Sequence, residues 1–381
     1  MIRILLVQGS AERAGAERML YNLLKYMDRS RFAPTVLFLS EGPFVDEVGG
    51  LGVPVIRSLA MVRVRELWRW SRPIRTIQEA IASTGAEVVH ANGEKTSIFA
   101  GRAARAMGTR SIGWLHDAPD AGGLSGRFTR WMLARTPLSE VITCSKWMAQ
   151  AFNSAYHLGA NPIVNGLDFT DMPSSSTRSR LNEAPGWPAD AVVIGHFGRL
   201  AHWKGTDLFL EAAALAAQSA PDARFLVVGD ALYGREKSWA DSLRVSGASK
   251  RLGDRIIFTG YRPDALDLMA RCDIVAHCSR SSDPFPTVVL EGMAMGKAVV
   301  ATRTGGPEEA IVDGSTGVLV QPGDHVEMAR AYVSLATDPR RRSAIGVAAM
   351  QEAKSRFGAE RMAREFEELY ANLLTRSKEA I

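Results

Sequence analysis

Two carboxylates stand eight residues apart in the stretch SSDPFPTVVLEGMAMGKAVVAT, residues 281–302. Asp283 lies in a proline-rich loop. Glu291 falls about one turn into a helix that we expect to start near Pro286 or Thr287, because proline suits the first helical position. A carboxylate placed there can accept two hydrogen bonds from a vicinal diol such as a ribose. The alternative is that both acids only compensate the helix dipole, a contribution of a few tenths to about 1 kcal/mol.

Two cations follow the first strand of the second half of the chain, in FGRLAHWKGTDLFLEA, residues 197–212. Arg199 comes directly after that strand, and Lys204 lies just before a predicted helix. Fixed positive charges, the N–H groups at a helix start and a favourable dipole together form a natural diphosphate site. The alternative is a pair of surface cations on a loop. Their position after a strand favours the phosphate site.

The first half of the chain alternates continuous apolar runs with segments of helical periodicity. The apolar runs predict strands at 2–7, 34–39, 53–59, 86–91, 110–116 and 140–145. The periodic segments predict helices at 15–27 and near 65–83, 94–107 and 126–135. Strands that are apolar throughout and separated by helices indicate a parallel sheet covered on both faces.

A segment rich in Pro, Ser, Asn and Asp, residues 161–190, then interrupts the pattern and is typical of a linker. After it the alternation resumes, with predicted strands at 191–199, 224–230, 255–260, 272–279, 298–301 and 317–320. Predicted helices begin at about 205 and cover roughly 235–251. Ligands of doubly wound sheets bind beyond the carboxyl ends of the strands, so we expect functional residues in the loops that follow them.

The bulk composition excludes several classes of protein. The 381 residues suggest two domains at about 100–200 residues each, and no apolar run approaches the ~20 residues of a membrane span. The first residues do not resemble a signal peptide. Cys144, Cys272 and Cys278 are too few and too badly spaced for a disulfide framework or a zinc site, which predicts reduced thiols. The sequence contains no cluster of acids and histidines of the kind that binds a divalent ion.

Positive charge is concentrated in the first half. Residues 1–170 carry 20 Lys and Arg against 14 Asp and Glu, whereas residues 171–381 carry 26 against 27. Five of these arginines recur with two tryptophans in MVRVRELWRWSRPIRTI, residues 61–77. That segment could contact an anionic partner such as lipid headgroups, or it could be a solvated helix face whose Arg stems cover apolar surface. Nucleic acid is not expected, because the basic and aromatic pattern does not continue.

Three of these stretches together resemble a known family. GRLAHWKG, DPFPTVVLEGMAMGKAVVAT and GGPEEAIVDGSTGVLV are similar to the retaining GT-B glycosyltransferases of family 4, in the glycogen synthase-like superfamily. The family's E-x7-E pattern stands here as Asp283-x7-Glu291. AGAERMLYNLL, WLHDA and VNGLD extend the resemblance over nearly the whole chain. It implies a GT-B fold, in which two doubly wound Rossmann-like α/β domains face a central cleft.

The resemblance also implies roles for individual residues. Arg199 and Lys204 would bind the donor diphosphate, Glu291 the ribose hydroxyls, and Asp283 the donor sugar. His116 would close over that sugar from the first domain, and Gly15 would let the first loop approach the phosphates. The backbone near Gly260, Tyr261 and Arg262 would contact the base. The other donor contacts would come from the helix start, at Pro286 and at Thr287 and Val288, which offer N–H groups.

Two residues depart from the family pattern. Asp283 replaces the usual Glu, which shortens the reach towards the sugar by one methylene. Pro286 stands where the family often has Gly, and it has no N–H to offer a phosphate. By contrast, His196, His202 and His277 are predicted to be structural, and Met293 and Met295 to be core.

The resemblance predicts a metal-independent transferase that moves a hexosyl unit from a nucleotide-diphosphate sugar, with UDP favoured over GDP or ADP and no further cofactor. The acceptor is open: a lipid-linked acceptor in surface polysaccharide or glycolipid assembly, or a small natural product. A GT-B sugar epimerase and a protein that binds nucleotide without transfer are the alternatives.

We expect a cytoplasmic protein, peripheral to the inner face of the membrane through 61–77. The predicted domains are 1–165, a linker at 166–190, 191–360, and a C-terminal helix at 361–381 that packs on the first domain.

Overall fold

The computed structural model of the chain describes residues 1–12, 14–120, 122–170, 172–173, 186–231 and 234–375, with the backbone alone at 234 and 235. Contacts divide the chain into two compact units. The first is Met1–Asp168 together with Phe357–Ile381, and the second is Phe169–Arg356. Each unit has its own parallel sheet.

The first sheet has seven strands. They are β1 (Ile2–Gln8), β2 (Phe32–Phe38), β3 (Val55–Arg57), β4 (Val88–Asn92), β5 (Arg110–Leu115), β6 (Glu140–Thr143) and β7 (Asn161–Pro162). All neighbours are parallel, in the order β3-β2-β1-β4-β5-β6-β7. The central strands β1, β4 and β5 are buried over most of their length, which is why their sequences are continuous apolar runs.

Within the described residues, six α-helices connect these strands. They are α1 (Gly15–Tyr26), α2 (Phe44–Gly50), α3 (Ser71–Thr84), α4 (Glu94–Ala106), α5 (Gly123–Leu133) and α6 (Lys146–Tyr156). The predicted helix start near 65 is wrong: a single 3-10 turn at Leu67–Arg69 comes first, and α3 begins at Ser71 with Pro73 in its first turn. Helices α2 and α6 were not predicted; α2 has only 7 residues, whereas α6 has 11, as many as the predicted α5.

The second sheet has six strands. They are β8 (Val192–Phe197), β9 (Ala223–Val228), β10 (Ile256–Gly260), β11 (Ile274–His277), β12 (Ala298–Thr302) and β13 (Val318–Val320). All pairs are again parallel, in the order β10-β9-β8-β11-β12-β13. The order reverses direction at β8, so the loops after β8 and β11 lie side by side. That is the place where doubly wound sheets bind their ligands.

The helices of the second unit are α7 (Thr206–Ser219), α8 (Gly234–Arg244), α9 (Gly247–Leu252), α10 (Ala265–Arg271), α11 (Thr287–Ala294), α12 (Gly306–Ala310), α13 (His325–Thr337) and α14 (Pro339–Arg356). The single helix predicted over 235–251 is wrong. It is interrupted after Arg244, because the Ser246 side chain accepts the Ser249 N–H and starts α9 instead.

The last helix, α15 (Ala359–Thr375), belongs to the first unit. Leu167 N–H donates to Phe357 O at 2.7 Å, and Leu167 O accepts from Ala359 N–H at 2.8 Å. The first unit therefore extends to Asp168, three residues beyond the predicted boundary at 165. The chain rejoins this unit at Phe357, before the predicted end of the second domain at 360. Residues 174–185 of the predicted linker and residues 376–381 lie outside the described residues. None of the described helices is long and apolar enough to span a bilayer.

Candidate active site

The loop after β8 is shaped by two glycines. Gly198 has a φ of +138° and Gly205 a φ of +68°, and a Cβ at Gly205 would lie 2.0 Å from the carbonyl oxygen of Cys278. Only glycine fits such a position. Arg199 follows Gly198 directly, and Lys204 ends the 3-10 turn before Gly205. The predicted cation pair thus lies at the carboxyl end of β8 on a loop of fixed path.

Lys204 is held by a buried carboxylate. Its Nζ donates to Asp283 Oδ2 at 2.7 Å and lies 4.2 Å from the centre of the Trp203 ring. The Lys204 side chain is 22% exposed, whereas that of Asp283 is 6% exposed. The ammonium is therefore fixed in place on a partly exposed side chain, and a cation held in this way can meet an anion without reorganisation.

Asp283 binds three side chains through one oxygen atom. Besides Lys204, its Oδ2 accepts from His277 Nε2 at 2.9 Å and from Ser279 Oγ at 2.9 Å. Burial raises the pKa of this carboxyl, but Lys204 and His277 outweigh burial and hold it well below its usual range. Asp283 is thus an ionised, buried carboxylate engaged with its neighbours. Its contact with a sugar stays a prediction.

His277 and Ser279 complete this cluster at the end of β11. His277 is buried, as expected of a core residue at a strand end, and burial lowers its pKa although Asp283 opposes that shift. The ring is therefore neutral and donates through Nε2. Thr302 Oγ1 donates to Ser279 O at 2.8 Å and ties the loop to β12. The sequence analysis missed Ser279, although the run of polar residues directly after a strand was a usable signal.

The remaining histidines of the region are structural. His196 Nε2 lies 3.1 Å from Thr206 Oγ1, and its Nδ1 lies 3.3 Å from Ala276 O. Burial lowers its pKa to about 4. His202 is exposed and packs on the Trp239 ring at 5.7 Å. His196 thus connects β8, β11 and the start of α7 rather than facing a ligand.

Arg199 faces an acid that the sequence analysis did not identify. Its Nε lies 3.7 Å from Glu236 Oε2 in α8, and the two side chains are 27% and 22% exposed. That separation is longer than a hydrogen bond. A diphosphate arriving at this loop would therefore compete with Glu236 for the guanidinium.

Helix α11 starts at Thr287, so Pro286 precedes the first helical position rather than occupying it. Pro286 is the N-cap, with φ −67° and ψ 121°, and Thr287 is the first helical residue. The N–H groups of the first turn have no acceptor within an α-helix, so Thr287 and Val288 suit an anion. Glu291 is the fifth residue of α11, about one turn into the helix as predicted, and it is half-buried. The roles of these four residues stay predictions.

The predicted base-binding residues follow β10. Gly260 ends that strand with φ +73°, and Tyr261 is 63% exposed. Arg262 is held by Asp264 through two hydrogen bonds, Nε to Oδ1 at 2.7 Å and Nη2 to Oδ2 at 2.6 Å. The guanidinium of Arg262 also lowers the pKa of the Asp264 carboxyl. Tyr261 is thus largely exposed, whereas Arg262 is held by its neighbour Asp264.

Two predicted residues lie in the first unit. Gly15 is the first residue of α1, is exposed and would have open space around a Cβ, so nothing in this unit requires glycine there. His116 directly follows β5, and its Nε2 lies 2.5 Å from Asn92 Oδ1. Its ring packs on Trp114 at 4.6 Å. The sequence analysis missed Asn92, which ends the neighbouring strand.

Two other kinds of chemistry find little support. Cys144, Cys272 and Cys278 are buried thiols, and burial raises the pKa of Cys272 and Cys278 to about 12, which removes the nucleophilic thiolate at neutral pH. Among the described residues no three His, Cys, Asp or Glu side chains are grouped to hold a metal ion. Metal independence stays a prediction.

Comparison with known proteins gives the family. The model of group 1 glycosyl transferases matches residues 177–352, and the model of glycosyltransferase family 4 matches residues 13–169. A lipopolysaccharide core biosynthesis mannosyltransferase of Rhizobium leguminosarum bv. viciae is 30% identical over 247 residues, which are 65% of this chain and 68% of that protein. The chain belongs to the group 1 glycosyltransferases of family 4.

Other relatives of this family 4 glycosyltransferase support its fold. A D-inositol 3-phosphate glycosyltransferase of Corynebacterium urealyticum is 33% identical over 228 residues, or 57% of this chain and 52% of that protein. The crystal structure of HepE of Anabaena in complex with UDP-glucose is 29% identical, with a TM-score of 0.84 over 98% of this chain and 100% of that chain. The predicted GT-B fold, with two parallel sheets flanked by helices, is confirmed.

Proposed function

We propose that this glycosyltransferase moves a hexosyl unit from a nucleotide-diphosphate sugar to an acceptor, with retention of the anomeric configuration. The observation that carries the proposal is Lys204, a cation fixed at the carboxyl end of β8 by the buried Asp283 carboxylate. Arg199 lies on the same loop, and Glu291 lies on the helix that follows the Asp283 loop. UDP is the favoured nucleotide, because HepE binds UDP-glucose.

The two cations suit the leaving group of this reaction. When the bond between the sugar C1 and the β-phosphate oxygen breaks, its electron pair stays on that oxygen. Arg199 and Lys204 would stabilise the resulting charge, as fixed donors do most effectively. The acceptor hydroxyl oxygen bonds to C1 from the same face, and its proton passes to the leaving phosphate. No side-chain nucleophile is needed, and we expect a chelator to leave the rate unchanged.

The acceptor is proposed from the relatives alone. The Rhizobium relative acts in lipopolysaccharide core biosynthesis, and the Corynebacterium relative is a D-inositol 3-phosphate glycosyltransferase. A lipid-linked saccharide of surface polysaccharide or glycolipid assembly is therefore our first candidate, and a small polar natural product the second. Each can be offered with the same labelled donor, and transfer of label to one of them identifies the class.

The nucleotide site is tested by thermal unfolding with excess UDP, GDP and ADP in turn. A ligand at about 100 times its Kd adds about 2.7 kcal/mol to the free energy of unfolding. We expect UDP to raise Tm most and Arg199→Ala to lose the response. Arg224→Ala is the matched control, because Arg224 bonds to Pro221 O at the opposite end of β9. No response to any nucleotide would contradict the proposal, and a larger response to GDP or ADP would change the donor.

The two alternatives predict different products. A sugar epimerase would convert a UDP-sugar to its epimer without any acceptor. A protein that only binds nucleotide would leave both the UDP-sugar and the acceptor unchanged. Chromatography of the sugar products with and without acceptor separates the three functions. The proposed transferase releases UDP in proportion to glycosylated acceptor.

We further propose that residues 61–77 contact an anionic membrane at the cytoplasmic face, where a lipid-linked acceptor would be presented. Trp68 is 78% exposed and Leu67 is 53% exposed, next to five arginines and one glutamate in the segment. Trp70, in contrast, is buried with its ring edge-on to Phe99 at 5.4 Å. The two tryptophans that the sequence shows together therefore differ: one packs the segment onto α4, and the other faces solvent.

A second exposed apolar surface lies next to this segment. Arg102 stacks on the Trp70 ring at 4.8 Å and donates to Thr136 Oγ1 at 2.7 Å, so it joins the segment to the end of α5. Along one face, α5 exposes Leu124, Phe128 and Trp131, with the Arg135 guanidinium 4.0 Å from the Trp131 ring. Exposed Leu, Phe and Trp beside arginines are typical of helices that lie in a membrane interface.

Sedimentation with vesicles tests this contact. We expect binding to vesicles of phosphatidylcholine and phosphatidylglycerol, weaker binding to phosphatidylcholine alone, and a decrease with salt, since each Arg near an anionic surface contributes about 1 kcal/mol. The double variant Trp68→Ser, Trp131→Ser should lose most of the binding. Trp187→Ser in the second unit is the matched control. Equal binding by the double variant and the wild type would show that this surface does not contact lipid.

A further inference from the structure

A chain of buried polar groups ends at His116. Gln8 ends β1 and is in register with Asn92, which ends β4. Gln8 Nε2 donates to Glu17 Oε1 at 3.0 Å, and Asn92 Nδ2 donates to Gln8 Oε1 at 2.7 Å. Asn92 Oδ1 then lies 2.5 Å from His116 Nε2. Gln8, Asn92 and Glu17 are at most 5% exposed, so this chain is shielded from water.

Backbone carbonyls fix the orientation of both amides. Gln8 Nε2 also donates to Ser10 O at 2.8 Å, and Asn92 Nδ2 also donates to Ala16 O at 3.3 Å. A carbonyl oxygen can only accept a hydrogen bond, so each NH₂ group must point towards its carbonyl. Each amide oxygen then points the other way. Asn92 Oδ1 therefore faces His116 as an acceptor.

This acceptor determines the tautomer of the imidazole. His116 Nε2 must carry the proton that it donates to Asn92 Oδ1, and a neutral imidazole has only one N–H. Burial lowers the pKa of His116 to about 3, so the ring is neutral at physiological pH and Nδ1 has a lone pair. No hydrogen bond joins Nδ1 to another of the described residues. The titratable groups around it are Glu17, His90 and Glu94 on neighbouring elements and Asp117, the next residue of the same loop.

We propose that Gln8 and Asn92 are positioning residues that fix His116 as the Nε2–H tautomer, so that Nδ1 accepts a hydrogen bond from a hydroxyl of the donor sugar. The inference rests on the proposed function, because it requires a sugar at His116. It adds a requirement for specificity: the sugar hydroxyl must donate a hydrogen bond to His116 Nδ1. A donor sugar in which that hydroxyl is replaced by fluorine keeps the size of the group but loses the proton, and it should bind less tightly.

The tautomer is measured directly by nitrogen NMR of the full chain labelled with ¹⁵N-histidine, without ligand. His116→Gln identifies the signals of the residue. We expect the Nε2–H form in the wild type and a mixture of tautomers in Asn92→Leu. Asn22→Leu is the matched control, since Asn22 is also buried in this unit and donates to Gly166 O at 2.9 Å. An Nδ1–H form in the wild type would overturn the proposal.

Kinetics test the consequence for the sugar. Asn92→Leu should raise KM for the nucleotide sugar about fivefold to tenfold, the loss expected for one hydrogen bond. In Asn92→Asp the new carboxylate favours the imidazolium and raises the pKa of His116, so activity should fall as pH falls through that raised pKa, unlike in the wild type. Unchanged KM and pH profile would overturn the positioning role. A wild type that transfers no sugar would instead refute the proposed function, and the NMR result does not depend on it.

Discussion

Replacing Arg199 by alanine is expected to lower kcat/KM for the nucleotide sugar about 10²- to 10³-fold, the usual effect of removing one fixed donor from a site of developing charge. Arg199 follows β8 directly and is 3.7 Å from Glu236 through Nε. The variant would leave the Glu236 carboxylate near the leaving phosphate without its cation, which adds repulsion to the lost attraction. Steady-state release of UDP in the presence of acceptor measures the change.

Two further variants define what Arg199 supplies. Arg199→Lys keeps the charge but not the planar, forked donor set, so it should recover part of the rate. Arg224→Ala, at the far end of the same sheet, should leave kcat/KM unchanged. The Arg199–Glu236 pair itself is partly exposed and, at this separation, contributes at most about 1 kcal/mol to stability. Full activity of Arg199→Ala would exclude this loop as the diphosphate site.

Replacing Asp283 by alanine is expected to lower the free energy of unfolding by about 3–5 kcal/mol, the cost of removing one partner from a buried ion pair. Lys204, His277 and Ser279 would all lose their common acceptor, Oδ2. Because the pKa of Asp283 in the folded state is below its unfolded value of about 3.9, the stabilisation is present above that pH. It is lost as pH falls further towards the folded pKa. Denaturant unfolding of the variant and the wild type at several pH values measures it.

A double-mutant cycle measures the interaction free energy between Lys204 and Asp283 separately from their contacts with other residues. Lys204→Ala, Asp283→Ala and the double variant should give a coupling of about 0.5–3 kcal/mol, with the double variant less destabilised than the sum of the single variants. The exposed pair of Arg251 and Glu211, joined at 2.6 Å with side chains 52% and 45% exposed, is the control and should couple by less than about 1 kcal/mol. Additive effects at Lys204 and Asp283 would show that Lys204 is positioned by something other than Asp283.

Most of the fold followed from local sequence patterns. The buried strands are recognisable because residues covered on both faces of a parallel sheet must be apolar. The interrupted helix at 235–251 and the late start of α3 were not predictable from periodicity, because a serine cap and a 3-10 turn decided them. The short elements α2 and β7 lacked enough residues to show a period, whereas α6, with 11 residues, was long enough to be recognised.

The candidate site, like the fold, was only partly predictable from the sequence. The order of strands and loops in the sequence was enough to place Arg199, Lys204, Asp283 and Glu291 after strands or at a helix start, whereas His116 was identified only through the family resemblance. Two of their partners were not evident, because Glu236 comes from α8 and Asn92 from a neighbouring strand. Ser279, in contrast, lies on the same loop as Asp283 and could have been identified from the sequence. The sequence presented Asp283 as a free acid of a loop, whereas the structure buries it against Lys204 and His277.

By itself, the sequence indicated the class of chemistry through its family resemblance: a chain of alternating strands and helices, with cations and carboxylates at the loops where we propose that a nucleotide sugar binds. Only the tertiary structure decided the protonation and orientation of those groups. Asp283 is ionised because folding brings Lys204 and His277 to it, and His116 donates through Nε2 because β1 and β4 bring Gln8 and Asn92 into register. Hydrogen bonds between residues distant in sequence depend on strand order and register, which composition and periodicity do not specify.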